Sequence, residues 1–130
     1  MTSYNTTLST WAGSIAATLE SRGIDSVQVF ESAGLDIAKT LDANARFLVT
    51  DMSKLWRTCV DVTGDPAFGL SVPQFRSPMS FHGMGLALDA SATLRESMEY
   101  IVKLGRLVSN IAEIKLRQLN NKHWELDWHI

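Results

Sequence analysis

The sequence has one cysteine, few prolines and no long apolar run, and each shortage excludes a class of protein. A lone thiol, Cys59, cannot form a disulfide within the chain, which is typical of the reducing cytoplasm. No apolar stretch approaches the roughly 20 residues that cross a bilayer, and the first ten residues do not resemble a signal peptide. We therefore expect a cytoplasmic protein that has no membrane partner.

An excess of positive charge is also missing. Lys and Arg number 12 against 14 Asp and Glu, so the formal net charge is -2. A free-standing nucleic-acid module usually has a basic excess and a basic recognition helix. We expect these residues alone not to bind duplex DNA specifically. The chain of 130 residues, of which 45% are apolar, has the size and composition of one globular domain.

Apolar residues recur at helical spacing along the first part of the chain. This spacing predicts a helix that begins near Ser9 and stops at Gly23 in the left-handed conformation. A shorter helix is expected to begin at Asp25, as part of a capping box with Gln28, and to end at Gly34. The segment 35–48 has no clean period and is predicted to be a loop with at most one helical turn.

The third predicted helix begins with Thr50 as its cap and ends at Gly64. Its inward stripe consists of Met52, Leu55, Trp56, Cys59 and Val60. Asp65 is then expected to cap a short helix that runs from Pro66 to about Val72.

A glycine-containing helix is predicted from Phe81 to Leu88. Gly83 and Gly85 weaken such a helix, and close contact with a neighbouring backbone is the plausible reason for them. The next helix has the clearest start signal, a Thr93 cap with Glu96 three residues later. Its expected buried stripe consists of Leu94, Met98, Ile101, Val102 and Gly105.

After residue 110 the apolar period becomes two, which predicts an antiparallel β-hairpin. A three-residue loop, 120–122, with one residue in the left-handed region puts all apolar side chains on one buried face. It pairs Leu116 with Leu126, Ile114 with Trp128, Arg117 with Glu125 and Lys115 with Asp127. The predicted fold class is α+β: an amino-terminal helical bundle, then a hairpin. A lone hairpin is seldom stable, so we expect the chain to be cut inside a larger domain and the hairpin to join a larger sheet.

No constellation of catalytic or metal-ligating residues is apparent. His123 and His129 lie too far apart on one strand to share an ion, and Cys59 falls on an apolar helix face as an inert buried thiol does. We expect no enzyme activity, no metal and no cofactor.

Large aromatic side chains are more informative. Most are expected to be ordinary core, but an apolar cavity between the helices and the hairpin is the sharper hypothesis, with Arg76 or His82 orienting a small ligand. The candidate ligand-binding residues are Trp56, Phe75, Arg76, Phe81, His82, Trp124 and Trp128.

Several blocks, in order and spacing, resemble one known family. They are Glu31–Asp36, Arg46–Leu48, Thr63–Leu70, Gly83–Ala87 and Ser91–Met98. From about Gly23 to Ser109 the chain resembles the amino-terminal domains, named for arabinose binding, of AraC/XylS-type bacterial transcription regulators. The block Thr63–Leu70 is the most specific of these. The matching residues are mainly turn and cap residues, so the resemblance carries the fold better than the ligand chemistry.

The resemblance implies that residues 1–130 are the amino-terminal part of an effector-sensing and dimerisation domain. It also implies a carboxy-terminal helix-turn-helix domain, missing from this chain, through which alone the protein contacts promoter DNA. The expected partners are a small-molecule effector and a second copy in a homodimer. A ligand-independent dimerisation or interaction domain is the alternative, which a flat exposed apolar face would favour over an enclosed cavity.

Overall fold

The computed structural model describes residues 4–130 and has the predicted α+β architecture. Its α-helices are α1 (Ala12–Ser21), α2 (Ser26–Ser32), α3 (Val49–Thr63), α4 (Gly83–Asp89) and α5 (Leu94–Val108). Its strands are β1 (Thr6–Leu8), β2 (Arg46–Leu48), β3 (Glu113–Gln118) and β4 (Trp124–His129). Short 3₁₀ helices cover Ile37–Leu41, Phe68–Leu70, Val72–Phe75 and Pro78–Phe81.

The strands form two antiparallel pairs, β1 with β2 and β3 with β4. One isolated bridge, Thr7 with Ser109, connects the first pair to the chain just before the hairpin. Among residues 4–130, no helix has both the length and the apolar character that a membrane span requires.

The main hydrophobic core lies in the first part of the chain. Its buried members are Ala12, Ile15, Leu19, Val29, Phe30, Ala33, Leu35, Phe47, Met52, Leu55, Cys59, Phe68 and Val72. They come from α1, α2, β2, α3 and the 3₁₀ helices that follow α3. None of these core residues comes from α4, α5 or the hairpin.

Helix α1 begins at Ala12 rather than near Ser9. The Ser9 side chain is buried and donates to the carbonyl oxygens of Lys39 at 2.7 Å and Ala45 at 2.9 Å. Its hydroxyl thus binds the segment after α2 instead of capping a helix. The predicted stop is confirmed, because Gly23 has a φ of 72°.

The expected caps of α2 are confirmed in part. The Asp25 carboxylate accepts from the backbone N–H groups of Val27 and Gln28, and Gly34 follows the helix with a φ of 78°. The Gln28 side chain lies exposed, and within residues 4–130 it makes no return bond to complete the box.

The segment 35–48 contains more structure than a loop. It has one 3₁₀ helix, Ile37–Leu41, and then strand β2, in which Phe47 is paired with Thr7 of β1. Both strands are three residues long, which is too short for an alternating pattern to be visible in the sequence. The pairing matters because β1 lies against the end of α5.

Helix α3 begins at Val49, so Thr50 lies inside its first turn and the predicted cap is wrong. The chain passes directly from β2 into the helix, and the Val49 N–H donates to the carbonyl oxygen of Asn5 at 2.9 Å. A backbone bond to the residue just before β1 therefore takes the place of a side-chain cap. The predicted end is confirmed, with Gly64 at a φ of 64°.

Replacing Gly64 by valine is expected to lower the free energy of unfolding by about 1–2 kcal/mol, because a β-branched residue resists the left-handed conformation. Gly64→Asn is the control, since asparagine tolerates this conformation and should cost less. Urea denaturation of the three proteins measures the difference. Equal stability of the valine and asparagine variants would contradict this explanation.

The predicted helix from Pro66 to Val72 is wrong. Two 3₁₀ helices, Phe68–Leu70 and Val72–Phe75, occupy this stretch, and Pro73 lies in the first turn of the second rather than ending a helix. Asp65 does begin the turn, because its carboxylate accepts from the Ala67 N–H at 2.9 Å. The same carboxylate forms an ion pair with Arg22 at 2.9 Å. Because Arg22 directly follows α1, this ion pair connects the turn to the end of that helix.

The bonds from Arg22 and from the Ala67 N–H hold the pKa of Asp65 below its ordinary value of 3.8. A carboxyl whose pKa is lower in the folded than in the unfolded protein stabilises the fold above the unfolded pKa, and this contribution disappears as the pH falls through the folded pKa. The stability difference between wild type and Arg22→Gln should therefore be constant near neutral pH and shrink below about pH 4. The part of the difference that remains at low pH comes from contacts that do not involve Asp65, namely the packing of Arg22 over the Phe68 ring and its hydrogen bond to Ser71.

Urea denaturation across that pH range measures this difference, with Arg57→Gln as the control because Arg57 is exposed and makes no ion pair among residues 4–130. A stability difference for Arg22→Gln that stays constant down to low pH would show that the ion pair with Arg22 does not lower the pKa of Asp65.

The predicted hairpin register is confirmed. Leu116 is paired with Leu126 and Ile114 with Trp128, and the loop is 120–122. The predicted left-handed loop residue is wrong: among residues 4–130 the only non-glycine residue with positive φ is His82. Instead, the Asn120 side chain closes the loop by accepting from the N–H groups of Lys122 at 2.9 Å and His123 at 3.0 Å.

The charges on the outer hairpin face are arranged differently from the prediction in one respect. Arg117 pairs with Glu125 at 3.0 Å, as expected, and also with Asp127. Lys115 lies opposite Asp127 in the register but pairs with Glu113 at 3.4 Å. The longer reach and forked geometry of the arginine let it hold both carboxylates of β4.

The apolar faces of α5 and the hairpin are less buried than predicted. Thr93 caps α5 as expected, accepting from the Glu96 N–H at 3.1 Å, but no residue of α5 is fully buried and Leu94 is 73% exposed. On β4, Trp128 is 59% exposed. Strand β3 packs against α5 at Gly105, and the apolar side chains that stay partly exposed border a cavity, which is the candidate site.

Candidate ligand-binding cavity

A cavity of about 700 Å³ lies between α3, α4, α5 and the hairpin, and it is open to solvent on one side. Its lining residues are Thr7, Trp11, Val49, Met52, Ser53, Trp56, Arg76, Phe81, Met84, Leu88, Ile101, Gly105, Val108, Ser109, Ile111, Ala112, Ile114, Trp128 and Ile130. Nearly all of these side chains are apolar.

Helical and strand periods explain how α5 and the hairpin face the cavity. Ile101, Gly105 and Val108 follow one another at spacings of four and three on α5, so they share a face. Ile114 and Trp128 are cross-strand partners, so they also share a face. A Cβ on Gly105 would lie only 3.0 Å from the Ile114 side chain, so glycine lets β3 approach the helix closely here.

Stacked aromatic rings form one wall of the cavity. The rings of Trp11 and Trp56 are 6.1 Å apart with an interplanar angle of 27°, and the buried ring of Phe68 meets Trp56 edge-on at 6.3 Å. The Trp11 indole N–H donates to the Thr7 hydroxyl at 2.8 Å. Trp56 is thus held between two rings, which fixes the wall in place.

The polar side chains of the lining are few. The hydroxyls of Thr7, Ser53 and Ser109 donate to the carbonyl oxygens of Val108, Val49 and Thr6 respectively. Their hydrogens are directed into the protein's own backbone, and what they offer to the cavity is acceptor capacity.

Arg76 is the one charged side chain among the lining residues. It lies in extended backbone between two 3₁₀ helices, and its Nη2 donates to Asp89 at 3.3 Å. Both side chains are partly exposed, at 39% and 42%, so this pair is screened by solvent and weak. The remaining donors of the guanidinium fork can serve another acceptor.

Four of the seven candidate residues line the cavity, namely Trp56, Arg76, Phe81 and Trp128. Phe75 is instead half-exposed at the end of a 3₁₀ helix. The Arg95 guanidinium lies over the Trp124 ring, 4.5 Å from the centroid of that ring. The structure therefore brings these two aromatic side chains to other places than the cavity.

His82 is placed outside the lining as well. Its Nε2 lies 3.4 Å from the Thr10 hydroxyl, and its backbone has a φ of 52° and a ψ of -136°. A non-glycine residue with these angles is strained. His82 makes the sharp turn between the 3₁₀ helix Pro78–Phe81 and α4, and so it positions Phe81 and Met84 rather than facing a ligand.

The sequence interpretation missed most of the remaining lining. Met52, Ile101 and Gly105 were expected to be core, and Thr7 and Trp11 belong to segments with no visible link to the cavity. The apolar pattern of a cavity wall is the same as that of a packed core. The only available signal was the near absence of charged residues from these faces.

Cys59 is fully buried, as predicted, and burial raises the pKa of its thiol to about 11. A protonated thiol is a poor nucleophile and metal ligand. Within residues 4–130, no three His, Cys, Asp or Glu side chains lie together as metal ligands do.

Comparison with known families matches residues 23–130 to the model described as the amino-terminal arabinose-binding domain of the AraC transcription regulator. The match takes in α2 to α5 and the whole hairpin, including most of the cavity lining. Comparison with curated proteins finds no match.

Proposed function

The chain belongs to the family of amino-terminal arabinose-binding domains of AraC transcription regulators, and we propose that it senses a small-molecule effector in the cavity beneath the hairpin. The family is described as the ligand-binding domain of a transcription regulator. The observation that carries the proposal is the cavity itself, an apolar space with one charged side chain at its edge.

The dimensions and chemistry of this space are those of a ligand pocket. Its 700 Å³ lies inside the range of about 300–1,000 Å³ that is usual for small-molecule sites. Such sites are lined mostly by apolar and aromatic side chains, with a few polar groups that fix orientation. Trp56, Phe81 and Trp128 supply the apolar contact, and Arg76 supplies the orienting group.

The position of the cavity suggests how occupancy is signalled. A ligand would fill the gap between α3 of the main core and α5 with the hairpin, which lie on its two sides. The apolar faces of α5 and β4 are partly exposed without it, so a ligand favours the arrangement in which they close on it. We propose that this closure controls an attached carboxy-terminal helix-turn-helix domain and its promoter binding.

Arg46 connects the end of α5 to β1. Its guanidinium donates to the carbonyl oxygens of Leu107 at 3.0 Å and Val108 at 3.3 Å, at the end of α5, and to Thr6 of β1. The end of α5 is thereby held against β1, which leaves its amino-terminal part and the hairpin as the elements that can adjust to a ligand.

Binding of the neutral apolar dye N-phenylnaphthylamine, followed by its fluorescence, tests the proposal. The dye should bind one site per chain, and Ile101→Trp should abolish binding because the larger side chain occupies the cavity. Lys103→Trp is the matched control, since Lys103 is an exposed residue of the same helix outside the lining. Loss of binding in both variants, or in neither, would contradict the proposed site.

The second candidate is a dimerisation surface that needs no ligand, because exposed apolar side chains continue beyond the cavity on α5 and the hairpin. They include Leu94, Leu107, Leu119 and Leu126. Sedimentation velocity separates the two functions. A stable dimer that is lost in Leu107→Glu, together with no dye binding at the cavity, would favour this candidate over ligand sensing.

A further inference from the structure

We infer that the effector is a monocarboxylate with an extended apolar body, and not a sugar. This inference rests on the proposed function, since it names the chemical class that the same cavity would take. It follows from how many polar groups the cavity wall has, which hydrogen bonds they already make, and what charge they carry.

A sugar does not suit this wall. A pentose has a hydroxyl or ring oxygen on every carbon, and each hydroxyl that loses water without gaining a partner costs about 1–3 kcal/mol. Sites that bind such ligands need several donors and acceptors directed inward. Of the 19 lining residues only four have a polar side chain other than an indole: Thr7, Ser53, Arg76 and Ser109.

The hydroxyls among these four are already engaged. Thr7 donates to Val108 at 3.1 Å and accepts from the Trp11 indole at 2.8 Å, and Ser53 donates to Val49 at 3.0 Å. The indole N–H of Trp11 is directed to Thr7 and not to the cavity. The cavity therefore offers hydrogen-bond donors chiefly at one point, the Arg76 guanidinium.

One cationic fork beside a large apolar surface is the arrangement that recognises an amphipathic anion. A guanidinium binds a carboxylate through two parallel hydrogen bonds. No Asp or Glu side chain is among the lining residues. Asp89 occupies one Nη2 donor of Arg76 at a long 3.3 Å and lies outside the lining, so a ligand carboxylate can bind through the other donors.

The apolar body would lie along the aromatic wall. The stacked rings of Trp11 and Trp56 and the side chain of Trp128 border one continuous space with Arg76. Burying an alkyl or aryl body here gains the hydrophobic free energy that the half-exposed face of β4 has not yet gained.

The test is displacement of N-phenylnaphthylamine from the chain by decanoic acid, methyl decanoate and L-arabinose at neutral pH. Decanoic acid should displace the dye at least about tenfold more effectively than the ester, because hydrogen bonds to a charged group are worth more than those to a neutral one. L-Arabinose should not displace it at concentrations at which decanoic acid is saturating.

Arg76→Gln assigns the preference to this residue. It should remove the tenfold advantage of the acid over the ester. Arg57→Gln, an exposed arginine on α3 outside the lining, is the matched control and should retain the advantage.

The outcomes separate this inference from the proposed function. Dye binding that Ile101→Trp abolishes, combined with equal displacement by acid and ester or with displacement by L-arabinose, would overturn the carboxylate class and leave the cavity as the effector site. An advantage for the acid that survives Arg76→Gln would overturn the role of Arg76. No dye binding at all would overturn the proposed function.

Discussion

Phe68→Ala is expected to lower the free energy of unfolding by about 3–5 kcal/mol, because it empties a fully buried aromatic site in the main core. The ring meets Trp56 edge-on at 6.3 Å and lies 5.1 Å beneath the Arg22 guanidinium. Its loss removes both contacts and leaves a void behind the aromatic wall. The chain that surrounds it is fixed by α1 and α3 and cannot collapse fully.

Urea denaturation measures this effect, and Leu70→Ala is the matched control. Leu70 belongs to the same 3₁₀ helix but is 81% exposed, so its replacement should change the stability by no more than about 0.5 kcal/mol. Phe68→Ala should also weaken dye binding, since Trp56 loses its support. A loss of stability below about 1 kcal/mol would contradict the placement of Phe68 in the core.

Gly85→Ala is the second change with a large expected effect. A Cβ at this buried position of α4 would overlap the carbonyl oxygen of Pro78 and lie 2.9 Å from its carbonyl carbon. These are backbone atoms, so the helix or the 3₁₀ helix Pro78–Phe81 must move. Overpacking of this kind costs about 1–3 kcal/mol, and contact with backbone puts it at the upper end or beyond.

Gly83→Ala is the control for Gly85, because it lies in the same helix and a Cβ there meets no atom within 4 Å. Its replacement should leave the stability unchanged or raise it by up to about 1 kcal/mol, as alanine favours the helix. Thermal unfolding and dye binding of both variants check the prediction. If Gly85→Ala were as stable as Gly83→Ala, the close approach of α4 to Pro78 would be wrong.

The sequence was sufficient to predict those parts of the fold that local chemistry determines. Gly23, Gly34 and Gly64 end or follow helices with positive φ, Asp25 and Thr93 cap them, and the hairpin has the predicted register. Each of these features depends on residues that lie close together in the chain. The close backbone approach expected at both Gly83 and Gly85 is confirmed at Gly85, where Pro78 is only seven residues away, and is wrong at Gly83.

Features that depend on distant partners were missed. Strands β1 and β2 are 40 residues apart and each is three residues long, so neither has a pattern of its own. Thr50 does not cap α3, because β2 continues directly into the helix and places Thr50 in its first turn. The Pro66–Val72 helix was replaced by 3₁₀ turns because Phe68 and Val72 both reach the core.

The sequence predicted a cavity between the helices and the hairpin, but only some of the residues that line it. A stripe such as Ile101 and Gly105 has the same spacing whether it packs against side chains or faces a space, and the difference is one of volume. Trp124 and Trp128 share a strand face, yet only Trp128 reaches the cavity, since Trp124 lies under Arg95. Such choices depend on how far α5 stands from the hairpin, which periodicity does not encode.

Nuclear Overhauser effects between N-phenylnaphthylamine and isotope-labelled methionine methyl groups would test the central claim most directly. Met52 of α3 and Met84 of α4 line the cavity from two elements, whereas the exposed Met79 lies outside the lining. The proposed site predicts contacts from the bound dye to both Met52 and Met84 and none to Met79. Contacts to Met79 alone, or a bound dye that reaches neither Met52 nor Met84, would show that the effector site is elsewhere.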